Sequence, residues 1–279
     1  MKLCYKALAA RFNGGKMTWI VGGRHVFCAR CLADVQVTVT WDDKAKPKQY
    51  VDAVKKIYLL NGNLIIAFSG TIRVAFEILR VLEENCLPQL EERFFTEPDE
   101  VARQMARHIK SAFTKAKRRD NDVVNFLVFV LGTQSLYQQV GVYKMASPSF
   151  SIEKPRQPYE LLEIGSGAGE PKYREFVQRH SVPGYEQPDP DGGKPMLVVP
   201  VGAVALKYLH AEAAEIQTLG VSQAMHLMLT YSGGTTLQER PATPDRQFPQ
   251  VAESWSELVR IMKNDHDIEL EASDVLATA

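Results

Sequence analysis

Hydrophobic and polar residues after position 17 alternate with a period of two, which is the pattern of half-buried β-strands. The segments TWIVGG, HVFCARCLAD and VQVTVTW are short, rich in β-branched residues and separated by glycine or charge. KKIYLLNGNLIIAFSG continues the pattern as two strands joined by an Asn-Gly-Asn turn. We therefore expect this part of the chain to form antiparallel β-strands.

The period then changes to that of a helix. In TIRVAFEILRVLEEN the apolar residues fall on one helical face. A second helix is predicted from TEPD to the basic KAKRR segment, because apolar residues recur there every three to four positions. Strands return in VVNFLVFVLG, SLYQQVGVYKM and YELLEIGSG, and PKYREFVQRH has the pattern of a third helix.

The last part of the chain completes a pattern of strands and helix pairs. A loop rich in Pro, Gly and Asp (VPGYEQPDPDGGKP) precedes a helix predicted over residues 202–217. VSQAMHLMLTYSGGTTLQE predicts a hairpin turning at residues 232–234, and ESWSELVRIM predicts an amphipathic helix before an acidic tail. This order is not a βαβ series. It predicts an α+β fold, a four-layer αββα sandwich of two antiparallel β-sheets flanked by helices.

Charge and hydropathy exclude several classes of function. Thirty-three basic residues balance thirty-three acidic residues, so the sequence gives no basis for a nucleic-acid or membrane-surface partner. No apolar run reaches the roughly 20 residues that a membrane-spanning helix needs. The N-terminal MKLCYKALAARF lacks the continuous apolar region of a secretory signal. We expect a cytoplasmic protein.

The cysteines do not indicate a disulfide framework or a metal site. Cys28 and Cys31 form a C-x-x-C, but side chains three positions apart on a strand point to opposite faces. The sequence has neither a second C-x-x-C nor an H-x-x-x-H to complete a zinc site. We expect buried core cysteines, and neither a metal nor a cofactor.

The ordered set TWIVGG, CLADVQVTV, VKKIYLLNGNLIIAFSGTIRVAFEIL and IGSG resembles the proteasome β-subunit family, including its bacterial ring-forming relatives. The family's Thr-to-Asp spacing falls on Thr18 and Asp34 without a gap, and its Lys-to-Gly spacing falls on Lys56 and Gly70. The serine of the family's GSG motif falls on Ser166. The resemblance implies an N-terminal-nucleophile hydrolase domain over residues 18–240, followed by a C-terminal helix and acidic tail over 241–279.

This resemblance implies a threonine-type endopeptidase whose nucleophile is Thr18, exposed as the mature N-terminus. A hydroxyl needs an adjacent base, and a free α-amine with a pKa near 8 would accept its proton through Ser166. Lys56 would hold the hydroxyl and the amine in place, and Asp34 would pair with Lys56. The backbone N–H of Gly70, at the start of a helix, would stabilise the oxyanion.

The chain departs from the family pattern at three places. Met17 stands where family precursors carry glycine. We expect residues 1–17 to be a leader, a propeptide or an incorrectly assigned start, with Met17 as the true initiator in the last case. Gln36 stands where the family has an arginine, and the family's second Asp-Ser pair would fall near Gln217 and Gly220 without a match.

Substrate and partners follow from the same resemblance. It implies peptide or unfolded-protein substrates and a self-compartmentalising homo-oligomeric ring, and it allows for an ATP-dependent unfoldase as a partner. The residues expected around the first substrate pocket are Val37, Val54, Phe68 and Ile72, with Tyr58 near its base. All five are apolar or aromatic, so we expect cleavage after Leu, Phe or Tyr.

Two other functions remain compatible with the sequence. A catalytically weak or inactive proteasome-like ring scaffold would result if Thr18 stays blocked. An N-terminal-nucleophile amidase would instead act on a small amide. The mature N-terminus separates the scaffold from the peptidase, and substrate profiling separates the amidase from the peptidase.

Overall fold

The computed structural model describes residues 18–26, 28–39, 47–90, 95–116, 118, 121–132, 140–188, 193–216, 220–231 and 234–270. Within these residues the chain is a mixed α+β protein with antiparallel sheets. The α+β class predicted from the sequence is therefore confirmed. The expected leader, most of the acidic tail and the predicted turn residues 232 and 233 lie outside the described residues.

The strands form two five-stranded antiparallel sheets and two short hairpins. They are β1 (Ile20–His25), β2 (Cys28–Asp34), β3 (Gln36–Val39), β4 (Gln49–Asp52), β5 (Ile57–Asn61), β6 (Leu64–Gly70), β7 (Val124–Leu131), β8 (Val140–Ala146), β9 (Ile152–Glu153), β10 (Leu162–Ile164), β11 (Tyr185–Gln187), β12 (Met196–Val198), β13 (Met225–Tyr231) and β14 (Gly234–Arg240). The first sheet has the order β10-β1-β2-β13-β14, and the second has the order β5-β6-β7-β8-β9. The hairpins pair β3 with β4 and β11 with β12.

The helices agree with the predicted pattern except at their ends. They are α1 (Ile72–Val81), α2 (Pro98–Lys115), α3 (Pro171–His180), α4 (Gly202–Glu215) and α5 (Trp255–His266). The prediction that the fourth helix reaches residue 217 was wrong, because the backbone of Ile216 is already extended. The prediction of a plain loop after α3 was also wrong, since β11 lies within it and pairs with β12.

Three hydrophobic clusters connect these elements. One contains residues of both five-stranded sheets, such as Ile20 of β1 and Leu127 of β7. The second joins the β5–β9 sheet to α1, α2 and α5, and the third joins the β10–β14 sheet to α3 and α4. The C-terminal helix thus belongs to the same core as the domain before it, because its buried residues Leu258 and Met262 pack in the second cluster.

Strand register brings the ends of distant segments together. In the β1–β2 pair Ile20 lies opposite Ala33, so the residues preceding β1 lie next to Asp34 at the end of β2. The backbone N–H of Asp34 donates to the carbonyl of Trp19 at 3.3 Å. Trp19 is fully buried and stacks on Tyr173 of α3 with ring centroids 4.1 Å apart, which anchors this end of the strand.

The cysteine prediction is confirmed for the pair on β2. Cys28 packs in the cluster with α3 and α4, whereas Cys31 packs in the cluster between the sheets, so the two thiols lie on opposite faces. Both are free and buried, and burial raises the pKa of each thiol. Among the described helices, none is long and apolar enough to cross a membrane.

Candidate active site

Thr18 lies just before β1, where the loop after β10 holds its main chain. Its backbone nitrogen lies 3.4 Å from the hydroxyl oxygen of Ser166, and its carbonyl accepts from the N–H of Gly167 at 3.1 Å. Gly165 has φ +94°, and a side chain there would come within 2.1 Å of the Thr18 carbonyl oxygen. Glycine is therefore required for the loop to approach this closely.

Asp34, at the end of β2, is a fully buried carboxylate that accepts three hydrogen bonds. One oxygen accepts from the N–H of Trp19 at 2.8 Å, and the other accepts from the N–H of Gln36 at 2.9 Å. The second oxygen also accepts from the ammonium of Lys56 at 2.9 Å. These donors fix both oxygens, so the carboxylate holds one orientation between β1, β3 and the residue before β5.

Lys56 carries the contact to Thr18. Its side chain is almost completely buried, yet its ammonium has a partner for each of its three N–H donors. It donates to Thr18 Oγ1 at 3.2 Å, to Asp34 Oδ1 at 2.9 Å and to the carbonyl of Gln36 at 2.6 Å. A cation at this distance favours the deprotonated form of the hydroxyl, since it stabilises a negative oxygen.

The pKa values of the pair reflect two opposing causes. Burial raises the pKa of the Asp34 carboxyl and lowers the pKa of the Lys56 ammonium, because each charged form loses water. The charge of each group and their hydrogen bond oppose both shifts. Since all three ammonium donors are used and the carboxylate accepts three bonds, the geometry fits the ionised pair.

A cavity of about 170 Å³ lies beside Thr18 and also contacts Gly70. Gly70 has φ +106°, and a Cβ there would come within 2.0 Å of the carbonyl oxygen of Val123. The next residue, Thr71, is the N-cap of α1, so the helix N-terminus faces the region of this cavity. The apolar residues lining the cavity are Val37, Val39, Ile72, Trp255, Leu258, Met262 and Leu270.

The residues expected around the substrate pocket fall into three places. Val37 and Ile72 line the cavity beside Thr18. Val54 and Phe68 are fully buried in the core cluster under α1 and do not line it. Tyr58 lines a neighbouring cavity instead. The sequence-based set is therefore split between the cavity, the core behind it and a second cavity.

The structure adds two charged residues to the cavity wall that the sequence analysis did not include. Arg73 and Asp122 both line it, and their side chains approach within 3.9 Å of each other. Because the two opposite charges lie together, neither is left alone to select a charged substrate residue.

Two polar residues near Lys56, Asp52 and Ser222, were not anticipated from the sequence, and Gln36 was named there only as a departure from the family pattern. Gln36 accepts from Lys56 through its carbonyl, and its side-chain amide donates to Asp52 at 3.3 Å. The hydroxyl of Ser222, just before β13, donates to the other oxygen of Asp52 at 2.7 Å. The Asp52 carboxylate raises the pKa of Lys56, against the effect of burial. Asp52 and Ser222 thus form an Asp-Ser pair beside the site, although not where the family pattern would place one.

The C-terminal segment also contributes to the site. Ala252 pairs with Val54, and the ammonium of Lys55 donates to Glu253 at 2.7 Å, which ties the start of α5 to the segment carrying Lys56. After α5 the chain reverses at Asp267, which has φ +52°. Leu270 then reaches the cavity beside Thr18.

The arrangement combines a hydroxyl, a buried ion pair, a serine beside the Thr18 nitrogen and a cavity lined by both apolar and polar residues. Of the predicted catalytic residues, Thr18, Asp34, Lys56 and Ser166 are joined by hydrogen bonds, and Gly70 lines the same cavity as Thr18. Such a set can support attack of the hydroxyl on a carbonyl carbon. Comparison with protein-family models and with curated proteins finds no match.

Proposed function

We propose that the chain is an N-terminal threonine peptidase with the four-layer αββα fold, which cleaves peptides through an acyl-ester on Thr18. The observation that carries the proposal is the ammonium of Lys56, which lies 3.2 Å from Thr18 Oγ1 while it is paired with the buried Asp34. A buried ion pair is costly to maintain, and replacing one by apolar residues is often neutral or stabilising. A chemical role would explain why the Lys56–Asp34 pair is kept, because Lys56 contacts the Thr18 hydroxyl beside the cavity.

The reaction begins after the bond before Thr18 is cut, which turns its peptide nitrogen into an α-amine. The hydroxyl attacks the substrate carbonyl carbon, and its proton passes to the α-amine, either directly or through Ser166. A C–O bond forms and the carbonyl oxygen becomes an oxyanion. When the intermediate collapses, the C–N bond breaks and the ammonium returns the proton to the leaving amine. Water then hydrolyses the ester and regenerates the hydroxyl.

Each neighbouring residue has a distinct part in this sequence. Lys56 lowers the cost of negative charge on Oγ1, and Asp34 holds Lys56 in position through Oδ1, which accepts from its ammonium at 2.9 Å. Gly70 lies where a backbone N–H at the start of α1 can face the oxyanion. Ser166 orients the nitrogen of Thr18, since the two atoms lie 3.4 Å apart.

The cavity favours an apolar substrate residue before the cut. Contact with its aliphatic side chains and with Trp255 contributes about 25 cal/mol per Å² of apolar surface buried, whereas an unpaired charge entering it loses several kcal/mol of hydration. We therefore propose cleavage after bulky apolar residues. Confinement of the site in a homo-oligomeric ring in the cytoplasm, fed by unfolded chains, would restrict which substrates reach it.

The proposal is tested with purified mature protein and a fluorogenic peptide. Thr18→Ala should abolish hydrolysis and also labelling by epoxyketone or boronate inhibitors, because both need the hydroxyl. Thr18→Ser keeps a hydroxyl and should retain activity. Ser151→Ala, which removes an exposed hydroxyl elsewhere, is the matched control and should hydrolyse the peptide at the wild-type rate.

The same assays separate the peptidase from the scaffold and the small-amide amidase. Turnover that persists in pure Thr18→Ala protein would remove Thr18 from the mechanism. Wild-type protein that retains residues before Thr18 and turns over neither peptides nor small amides would indicate the scaffold instead. Hydrolysis of small amides without hydrolysis of peptides would indicate the amidase.

A further inference from the structure

The cavity beside Thr18 shares a wall with a second cavity. The second cavity has a volume of about 290 Å³ and lies between α1 and the start of α5. Trp255 and Arg73 line both cavities. These two side chains therefore form the partition between a pocket next to the nucleophile and a space beyond it.

The second cavity has the chemistry of an apolar side-chain pocket. Tyr58, Phe76 and Leu79 supply aromatic and aliphatic surface, and the rings of Tyr58 and Phe76 meet edge to face with centroids 6.2 Å apart. Its charged lining residues include Arg80 and Glu83, so the apolar surface is accompanied by a polar edge. An aromatic substrate side chain would find complementary surface there, if it could reach it.

Trp255 and Arg73 differ in their polar contacts. The Arg73 guanidinium lies between two acids, 3.9 Å from Glu77 and 3.9 Å from Asp122. Trp255, the first residue of α5, is half-buried and packs against the core cluster. Its indole nitrogen is buried and has no hydrogen-bond partner among the described residues, which is unfavourable for an N–H donor. Hydrogen bonding therefore does not explain why the indole occupies this position.

We propose that Trp255 is a specificity-determining residue that closes the deep end of the substrate pocket. The indole limits the size of the side chain before the cut, because a fused ring system as large as that of 2-naphthylalanine would need the space beyond the partition. This inference rests on the peptidase function proposed above. Removing the indole joins the two cavities into one pocket with an aromatic far end.

The test compares two peptides that differ only in the residue before the cut, leucine or 2-naphthylalanine. Wild-type protein should prefer leucine in kcat/KM. In Trp255→Ala the ratio of naphthylalanine to leucine turnover should rise by about tenfold or more, since pocket size changes discriminate apolar side chains by 10–200-fold. Trp255→Phe, with a smaller ring, should give an intermediate ratio.

The matched control is Tyr208→Ala, which removes a half-exposed aromatic side chain from α4, on the other sheet, and should leave the ratio unchanged. Thermal unfolding shows whether each variant folds, and Trp255→Leu keeps an apolar wall if the alanine variant does not. A variant that folds and cleaves the leucine peptide with an unchanged ratio overturns the inference and leaves the peptidase function intact. Wild-type protein without Thr18-dependent turnover overturns both.

Discussion

Replacing Lys56 by Met and Asp34 by Asn, singly and together, tests whether the buried pair is retained for chemistry rather than for stability. The two side chains are 2% and 0% exposed, and their charged atoms lie 2.9 Å apart. Either single change leaves a buried charge without its counter-ion. The double change removes both charges while keeping an amide oxygen to accept from the N–H of Trp19 or Gln36.

The cost of each single change has a lower and an upper bound. Breaking a buried pair by removing one partner costs about 3–5 kcal/mol. The remaining group can instead lose its charge. At pH 7 this costs about 4.6 kcal/mol for a lysine with an ordinary pKa near 10.4, and about 4.2 kcal/mol for an aspartate with one near 3.9. Each single variant should therefore lose about 3–5 kcal/mol, whereas the double variant should lie within about 2 kcal/mol of wild type.

Urea denaturation at pH 7 measures these differences in the free energy of unfolding. All variants are compared at one protein concentration, because the apparent stability of an oligomer depends on concentration. The double-mutant cycle should give a coupling energy of about 3 kcal/mol or more. Peptide turnover should fall by about a hundredfold or more in all three variants, since the contact to Thr18 Oγ1 is lost or misplaced. Additive stability losses would show that the two charges do not stabilise each other, and a double variant with wild-type turnover would show that the pair has no role in the chemistry.

Four further outcomes are expected. Light scattering at micromolar concentration should give a mass several times that of the 31.3 kDa chain, and a monomer would contradict the ring. A fluorogenic library should show faster turnover with Leu than with Arg or Asp before the cut, and the reverse order would contradict the apolar pocket. Burial and the nearby Lys55 lower the pKa of His226 to about 4 in the folded protein. Between pH 4 and 6.5 this histidine is therefore protonated in the unfolded chain but neutral in the folded one. The free energy of unfolding should fall by up to about 3 kcal/mol as the pH drops through that window, and urea titrations should show a smaller fall in His226→Gln. Ser222→Ala removes a donor to the Asp52 carboxylate and should cost about 1.5–3 kcal/mol in the same assay, while an unchanged midpoint would contradict that bond.

The strand and helix pattern was predictable because it depends on local periodicity. Alternation predicted strands on either side of Asp34, and the helical period after Gly70 predicted α1. Which strands become neighbours is not a local property. β2 pairs with β13, far along the chain, and no pattern within either segment specifies that contact.

The same difference separates the site residues that were proposed from those that were missed. Thr18, Lys56 and Ser166 were proposed from an ordered resemblance, and the structure places them in contact. Asp52 and Ser222 are 170 positions apart and belong to no motif, so their hydrogen bond depends entirely on the fold. The sequence offered one signal for this pair, which was the polar residue Ser222 just before the apolar strand β13.

Trp255 was missed for a related reason. Its segment was interpreted as an amphipathic helix, and that prediction was correct for α5. An amphipathic pattern predicts that one face of a helix is buried, but it does not identify the residues against which that face packs. Only the packing of α5 beside α1 places the indole between two cavities, one of which lies beside Thr18.

The proposed role of Thr18 as a free N-terminal nucleophile can be examined in the native protein. Protein expressed from its native locus should be treated with an epoxyketone, and its intact mass and adduct-bearing peptide should be determined by mass spectrometry. We expect a mature chain that begins at Thr18 and carries the adduct on that residue. A mature chain that retains residues before Thr18, or an adduct on any other residue, would exclude this role for Thr18.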